Sequence, residues 1–281
     1  MIYLIISIIA SVSVSILLKI AKKKKVNIAQ AVAFNYPVAI ILSFILLQPD
    51  FSNFQFSQQS WLFAGLGILL PLIFIIMGMA VQKAGIVKAD IAQRLSLILT
   101  LMVAFFFWNE AFTTQKLIGV GLAFIALLFI LNKKSKSKSK ASSSWLYLLL
   151  VWLGYGVIDL MFKLISKTSD NAFSTTLTLA FSVATLIIFA YLFLKNTKFN
   201  QASIIGGIIL GVLNFTNIYT YIKAHQFLNE SPSLVFTGMN LGVIVLGTMV
   251  GTIVFDEKLN RYNYIGILLA ALAILLLFLQ F

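Results

Sequence analysis

The sequence predicts an all-α polytopic membrane protein, with ten transmembrane helices arranged as two inverted five-helix repeats. Three observations predict it. Apolar residues make up 60% of the 281 positions and charged residues only 10%, whereas a soluble domain carries about 25% charged residues. The apolar residues also come in continuous blocks rather than amphipathic stripes, and a block of about 18 or more spans a hydrocarbon core about 30 Å thick. Finally, one pattern occurs twice. "WNEAFTTQKLIGVGLAF" at 108–124 and "FDEKLNRYNYIGILLAA" at 255–271 place Glu110 on Glu257, Ile118 on Ile265, Gly119 on Gly266, Leu122 on Leu269 and Ala123 on Ala270, always 147 residues apart.

Ten blocks follow in order, at 2–20, 28–47, 60–82, 88–108, 115–131, 145–165, 172–194, 202–223, 232–254 and 262–280. The first is apolar from Ile2 to Leu18 and lacks a basic leader, its lysines coming afterwards, so it reads as a retained span. Pro37 and Pro71 lie inside spans two and three, where a missing donor and a ring clash predict kinks. Pro232 sits in the first turn of span nine, an ordinary helix start. Between spans five and six, "NKKSKSKSKASSS" at 132–144 is a basic, low-complexity linker, with nothing to bury.

The repeated motif stands between spans four and five and again between spans nine and ten. Each copy therefore belongs to a five-span unit, 1–131 or 145–281. Five is odd, so the second unit enters the membrane from the opposite face, as in many secondary transporters. At a spacing of 144, "SVSILLKIAK" overlies "VIDLMFKLIS", setting Lys19 on Lys163 and Ser15 on Asp159, and Gly67 falls on Gly211.

Charge gives the orientation. Of the 21 lysines and arginines, all but Lys116, Lys163, Lys167 and Lys223 belong to odd-numbered connections. Those connections are expected in the cytoplasm and both termini outside. The net charge of +13 reads as span-end lysines meeting anionic lipid, not as a nucleic-acid surface. Trp61, Trp108 and Trp145 stand at span ends, the interfacial position for an amphipathic ring. Cysteine is absent, which excludes disulfides, thiolate metal sites and a cysteine nucleophile.

Ten spans in a five-plus-five repeat, a Glu before the last span of each unit and an Ile-Gly inside it resemble the drug/metabolite transporter superfamily, EamA type. The most specific pieces are "WNEAFTTQKLIGVGLAFIALLFI" (108–130) and "FDEKLNRYNYIGILLAALAILLL" (255–277). The family often has a Pro or small residue in the fourth span of each half, and neither "DIAQRLSLILT" nor "VFTGMNLGVIV" contains Pro. The resemblance implies a bacterial inner-membrane transporter that exports or exchanges small organic solutes, amino acids or other metabolites, by alternating access. A monomer or weak dimer in lipid, without cofactor or metal, is the matching expectation.

Polar groups inside hydrocarbon cost at least about 2.5–3.5 kcal/mol when charged, so each needs a partner or a purpose. Asp159 and Lys163, four residues apart in span six, share a helix face. They form either a neutralising pair or a charged wall of the solute path. Gln93 and Arg94 open span four, where Arg94 either snorkels to water or offers its fork to an anionic group. Asn240 in span nine bonds either a neighbouring helix or the solute. Span eight carries Asn214, Asn217 and Tyr221 at i, i+3 and i+7, a stripe that lines the cavity or glues helices together. Asn35 and Tyr36 flank the span-two kink, as ligand contacts or as structure. Glu110 and Glu257 read as anions at helix starts, and Gly119 and Gly266 as sites of close helix approach. His225, the only histidine, is expected near the surface.

A membrane-embedded enzyme would need a carboxylate or histidine cluster, a metal site or an activated nucleophile. The intraspan ionisable set reduces to Asp159, Lys163 and Arg94. A solute transporter is the first reading, and a flippase for a lipid-linked intermediate is the alternative.

Overall fold

A computed structural model of the chain describes residues 1–23, 26–52, 56–111, 113–130, 144–256 and 259–278. Glu257 and the linker segment 132–143 lie outside these. Ten helices make up the fold: α1 (Ile2–Lys23), α2 (Ile28–Leu47), α3 (Phe56–Ala84), α4 (Ile86–Phe106), α5 (Thr114–Ile130), α6 (Ser144–Ser166), α7 (Asp170–Leu194), α8 (Gln201–Phe227), α9 (Pro232–Phe255) and α10 (Arg261–Phe278). Among the described residues, nine of them are long and apolar enough to cross a membrane, and α5 is described over 17 residues. Outward-facing residues such as Ile45, Phe106, Leu186 and Ile253 are more than 60% exposed, which suits lipid rather than water.

Helix ends are set by local chemistry. Asn27 and Asn200 cap α2 and α8 through the amides of Gln30 and Ser203. Asn260 and Asn263 each accept from the other's amide at 2.9 Å at the start of α10. α3 and α4 are separated by Gly85 alone, at φ 92°. That backbone region favours glycine, which allows the chain to turn between two long helices in one residue.

The two five-helix units pack with exchanged, symmetric contacts. α5 and α10 run antiparallel and form the most extensive pair. A methyl group on Gly119 would lie 2.7 Å from Leu277 Cγ, and one on Gly266 would lie 2.6 Å from Ile130 Cγ1. Adding 147 to Gly119 and to Ile130 gives Gly266 and Leu277, so the repeat carries one contact into the other. Gly67 likewise sits against Val183 and the Ala180 carbonyl, and Gly211 against Val38 and the Asn35 carbonyl. These glycines let α3 approach α7, and α8 approach α2, to backbone contact. The same relation joins α1–α8 to α6–α3 and α1–α9 to α6–α4. Because each helix crosses once, the α2–α3, α4–α5, α6–α7 and α8–α9 connections share one end of the bundle, called here the even face; the other connections share the odd face.

Trp61 and Trp145 are exposed near helix starts. Trp108 instead packs on Phe236, with ring centroids 6.3 Å apart, beneath the Lys167 ammonium.

Candidate functional site: a polar seam between the two units

Span eight does not act as one polar stripe. Asn217 donates to Ser7 O at 2.8 Å and Ser7 Oγ at 3.0 Å, and Ser7 Oγ donates back to Asn217 O. Its amide thus ties α8 to α1, as interhelical glue. Asn214 donates to Asn35 Oδ1 at 3.2 Å, joining α8 to α2. Among the described residues the Asn35 Nδ2 donor is buried without a partner, and so is the Tyr36 hydroxyl. Tyr36 stacks on Phe181 of α7.

Asp159 and Lys163 do not pair. The fully buried Lys163 ammonium donates to the His225 carbonyl at 3.2 Å and the Asn229 carbonyl at 3.0 Å. The physical reason is the end of α8. Last-turn carbonyls lack helical partners and carry the negative end of the helix dipole, so they outcompete a carboxylate one turn away on the same helix. Asp159 is left half-buried beside the Tyr221 hydroxyl, with Arg94 and Tyr155 in its electrostatic surroundings.

Arg94 does not open its helix. α4 begins at Ile86, which puts Arg94 about 12 Å along the axis at 1.5 Å per residue. Its Nε lies 3.6 Å from Asp90 Oδ1, and this nitrogen makes no hydrogen bond. Neighbouring Gln93 is half-buried, and its carbonyl accepts from Ser96. Asn240 turns its amide to the Phe236 carbonyl of its own helix at 3.0 Å, not to a neighbouring helix.

His225 is not near the surface. α8 runs on to Phe227, and the ring is fully buried between Tyr221 and Phe236, at centroid distances of 4.9 and 4.7 Å. Neither ring nitrogen has a partner among the described residues. Reading span eight as ending at 223 hid this residue; the i, i+4 spacing of Tyr221 and His225 was the available signal. Tyr155, on the same helix as Asp159 and one turn before it, also escaped the sequence reading.

Glu110 is buried on the even face. It accepts from the Ser233 amide at 2.9 Å, from the Ser233 hydroxyl, and from Lys116 Nζ at 2.9 Å. Ser233 is in the first turn of α9, so this anion of the first unit serves a helix start of the second. Gly119 and Gly266 are the close-approach sites of the α5–α10 pair described above.

The seam thus gathers a carboxylate from α6 beside a tyrosine hydroxyl from α8, a guanidinium from α4, and unpartnered polar groups from α2. Buried polar groups without partners cost about 1–3 kcal/mol each, which a polar solute or water would offset.

The sequence profile of the EamA-like transporter family matches residues 1–132. An uncharacterized protein of Haemophilus influenzae is 49% identical over 98% of this chain and 97% of its own length. One solved crystal structure superimposes on 99% of this chain and 96% of its own, with a TM-score of 0.74 at 10% identity; that likeness concerns the fold. The chain belongs to the EamA-like transporter family.

Proposed function

We propose that this chain is a secondary transporter of the bacterial inner membrane that moves small zwitterionic metabolites, amino acids among them, by alternating access in export or exchange. The observation that carries the reading is the seam itself. Asp159 of the second unit stands beside the Tyr221 hydroxyl, with Arg94 of the first unit in its electrostatic surroundings, and α2 adds the unpartnered polar atoms of Asn35 and Tyr36. A carboxylate not paired with its nearest lysine suits an ammonium group. A guanidinium with an unbonded Nε suits a carboxylate. Both units contribute side chains to this seam, and inverted-repeat transporters usually bind their solutes at such a junction.

The units are 1–131 and 145–281, joined by a cytoplasmic linker at 132–144. Two things support this division: the family profile ends at residue 132, and the 147-residue spacing exchanges the α5–α10 contacts. The lysine bias supports an odd face in the cytoplasm.

The test has two steps. Purified protein is screened by thermal shift against amino acids, nucleobases, sugars, phosphate esters and quaternary amines. Solutes that stabilise it are then followed by counterflow in proteoliposomes. Amino acids should shift the melting temperature and exchange across the membrane, and Asp159→Asn should abolish both. Equal response to every class, or counterflow unchanged in the variant, would remove the zwitterion assignment.

A further inference from the structure

The two units carry equivalent residues, yet the ends of the bundle are not equivalent. On the even face α6 packs against α8, and α5 against α9. The repeat turns these pairs into α1–α3 and α10–α4 on the odd face, where no comparable contact exists among the described residues. The central scaffold does not share this asymmetry. Gln30 donates to the Lys198 carbonyl on the odd face, and Thr175 donates to the Asp50 carbonyl at 2.9 Å on the even face. The glycine contacts of α3–α7 and α8–α2 also match.

Two lysines concentrate the difference. Lys163 near the end of α6 is fully buried on the carbonyls of His225, in the last turn of α8, and of Asn229, just beyond it. Its counterpart Lys19, 144 residues earlier near the end of α1, is exposed and stands 3.7 Å from the centre of the Phe255 ring. Phe255 is the counterpart of Trp108. Over Trp108 stands Lys167, one turn beyond Lys163, at 4.7 Å. The equivalent aromatic platforms are therefore occupied from lysines one helical turn apart.

This is not a slide of the whole helix. Midway along the bundle, Trp152 of α6 donates to the Leu95 carbonyl of α4 at 3.0 Å, and Ile8 of α1 lies against Gly242 of α9. Spacings of 144 and 147 carry one contact into the other, so the registers agree there. The difference arises in the turns between Trp152 and Lys163, where the end of α6 swings inward and the end of α1 does not.

The geometry points to Lys163 and Lys19 as the paired gating residues of this protein, an inference that rests on the transport reading above. Lys163 seals the even face by joining α6 to the end of α8. In the opposite state it withdraws to Trp108, while Lys19 leaves Phe255 for the last-turn carbonyls of α3, beginning at Val81. Each lysine exchanges a carbonyl cluster for an aromatic face, so its ammonium keeps a partner in both states. The structure is then the state closed on the even face.

Cysteine labelling tests this directly, because the chain has no cysteine of its own. His225→Cys and Val81→Cys, which leave both lysines in place, are treated separately with a membrane-impermeant maleimide, in right-side-out and inside-out vesicles. Minor states are populated at about 0.1–10%, so the cysteine at 225 should react about 10- to 1,000-fold more slowly than the one at 81. Bridging Lys167→Cys to Trp108→Cys with a reducible bifunctional thiol reagent holds the even face shut. The bridge should abolish labelling at 225, leave labelling at 81 intact or faster, and be reversed by reduction. Tyr221→Cys replaces His225→Cys as the even-face reporter should the latter not insert.

The gate is overturned if position 225 reacts as fast as position 81, or if it never reacts with or without the bridge, which would mark a static buried lysine beside it. The labelling needs no substrate, so it decides the gate even where the solute screen fails. Counterflow persisting through the bridged protein would overturn the gate and leave the transport reading standing.

Discussion

Replacing Glu110 with alanine removes a carboxylate that three donors share. Its oxygens accept from the Ser233 amide, the Ser233 hydroxyl and the Lys116 ammonium. The Glu110 and Lys116 side chains are 1% and 8% exposed. After the change Lys116 keeps only the Ser231 hydroxyl at 3.3 Å, a neutral partner for a buried cation. Removing one member of a buried pair costs about 3–5 kcal/mol. The lost anion at the α9 start overlaps with that figure and does not add fully to it. Glu110→Ala should therefore destabilise the protein by about 3–5 kcal/mol, read from reversible unfolding in mixed micelles. Glu110→Ala with Lys116→Met removes the stranded charge as well, and should recover more than half of the loss. A single variant within about 1 kcal/mol of the parent, the size of an exposed ion pair, would refute the reasoning. So would a double variant as damaging as the two single changes added together.

Three further outcomes follow from the packing and the seam. Asn217→Ala should cost about 0.6–1.7 kcal/mol of stability, the range for an interhelical hydrogen bond in a membrane, while leaving the solute-induced thermal shift unchanged. Gly211→Val places side-chain atoms against Val38 and the Asn35 carbonyl and should destabilise by about 1–3 kcal/mol, measured in the same unfolding assay. Asp159→Asn should eliminate counterflow while keeping a melting temperature near that of the parent, because the carboxylate makes no ion pair with Lys163 in the fold; a large fall in stability would assign it a structural role instead.

Helix positions were legible because a bilayer demands long apolar blocks, and a block shows its own ends. The inverted arrangement was legible because the copies kept Glu, Ile and Gly at constant spacing. Partners across the seam were not. Nothing in the spacing of Asp159 and Lys163 shows that the end of α8 offers the lysine a better set of acceptors. Glu110 could be read as serving a helix start, but the choice of α9 in the other unit depends on how the two units interlock. His225 was misplaced by a boundary error of four residues, since the polar end of α8 resembles a loop in composition and continues as helix in the fold.

α8 has 27 residues, about 40 Å at the helical rise, and exceeds a hydrocarbon layer about 30 Å thick. It must lean across the layer or stand proud of it, and the lipid beside it must accommodate the excess. Bilayers of long-chain lipids should accordingly suit this helix better than short-chain ones.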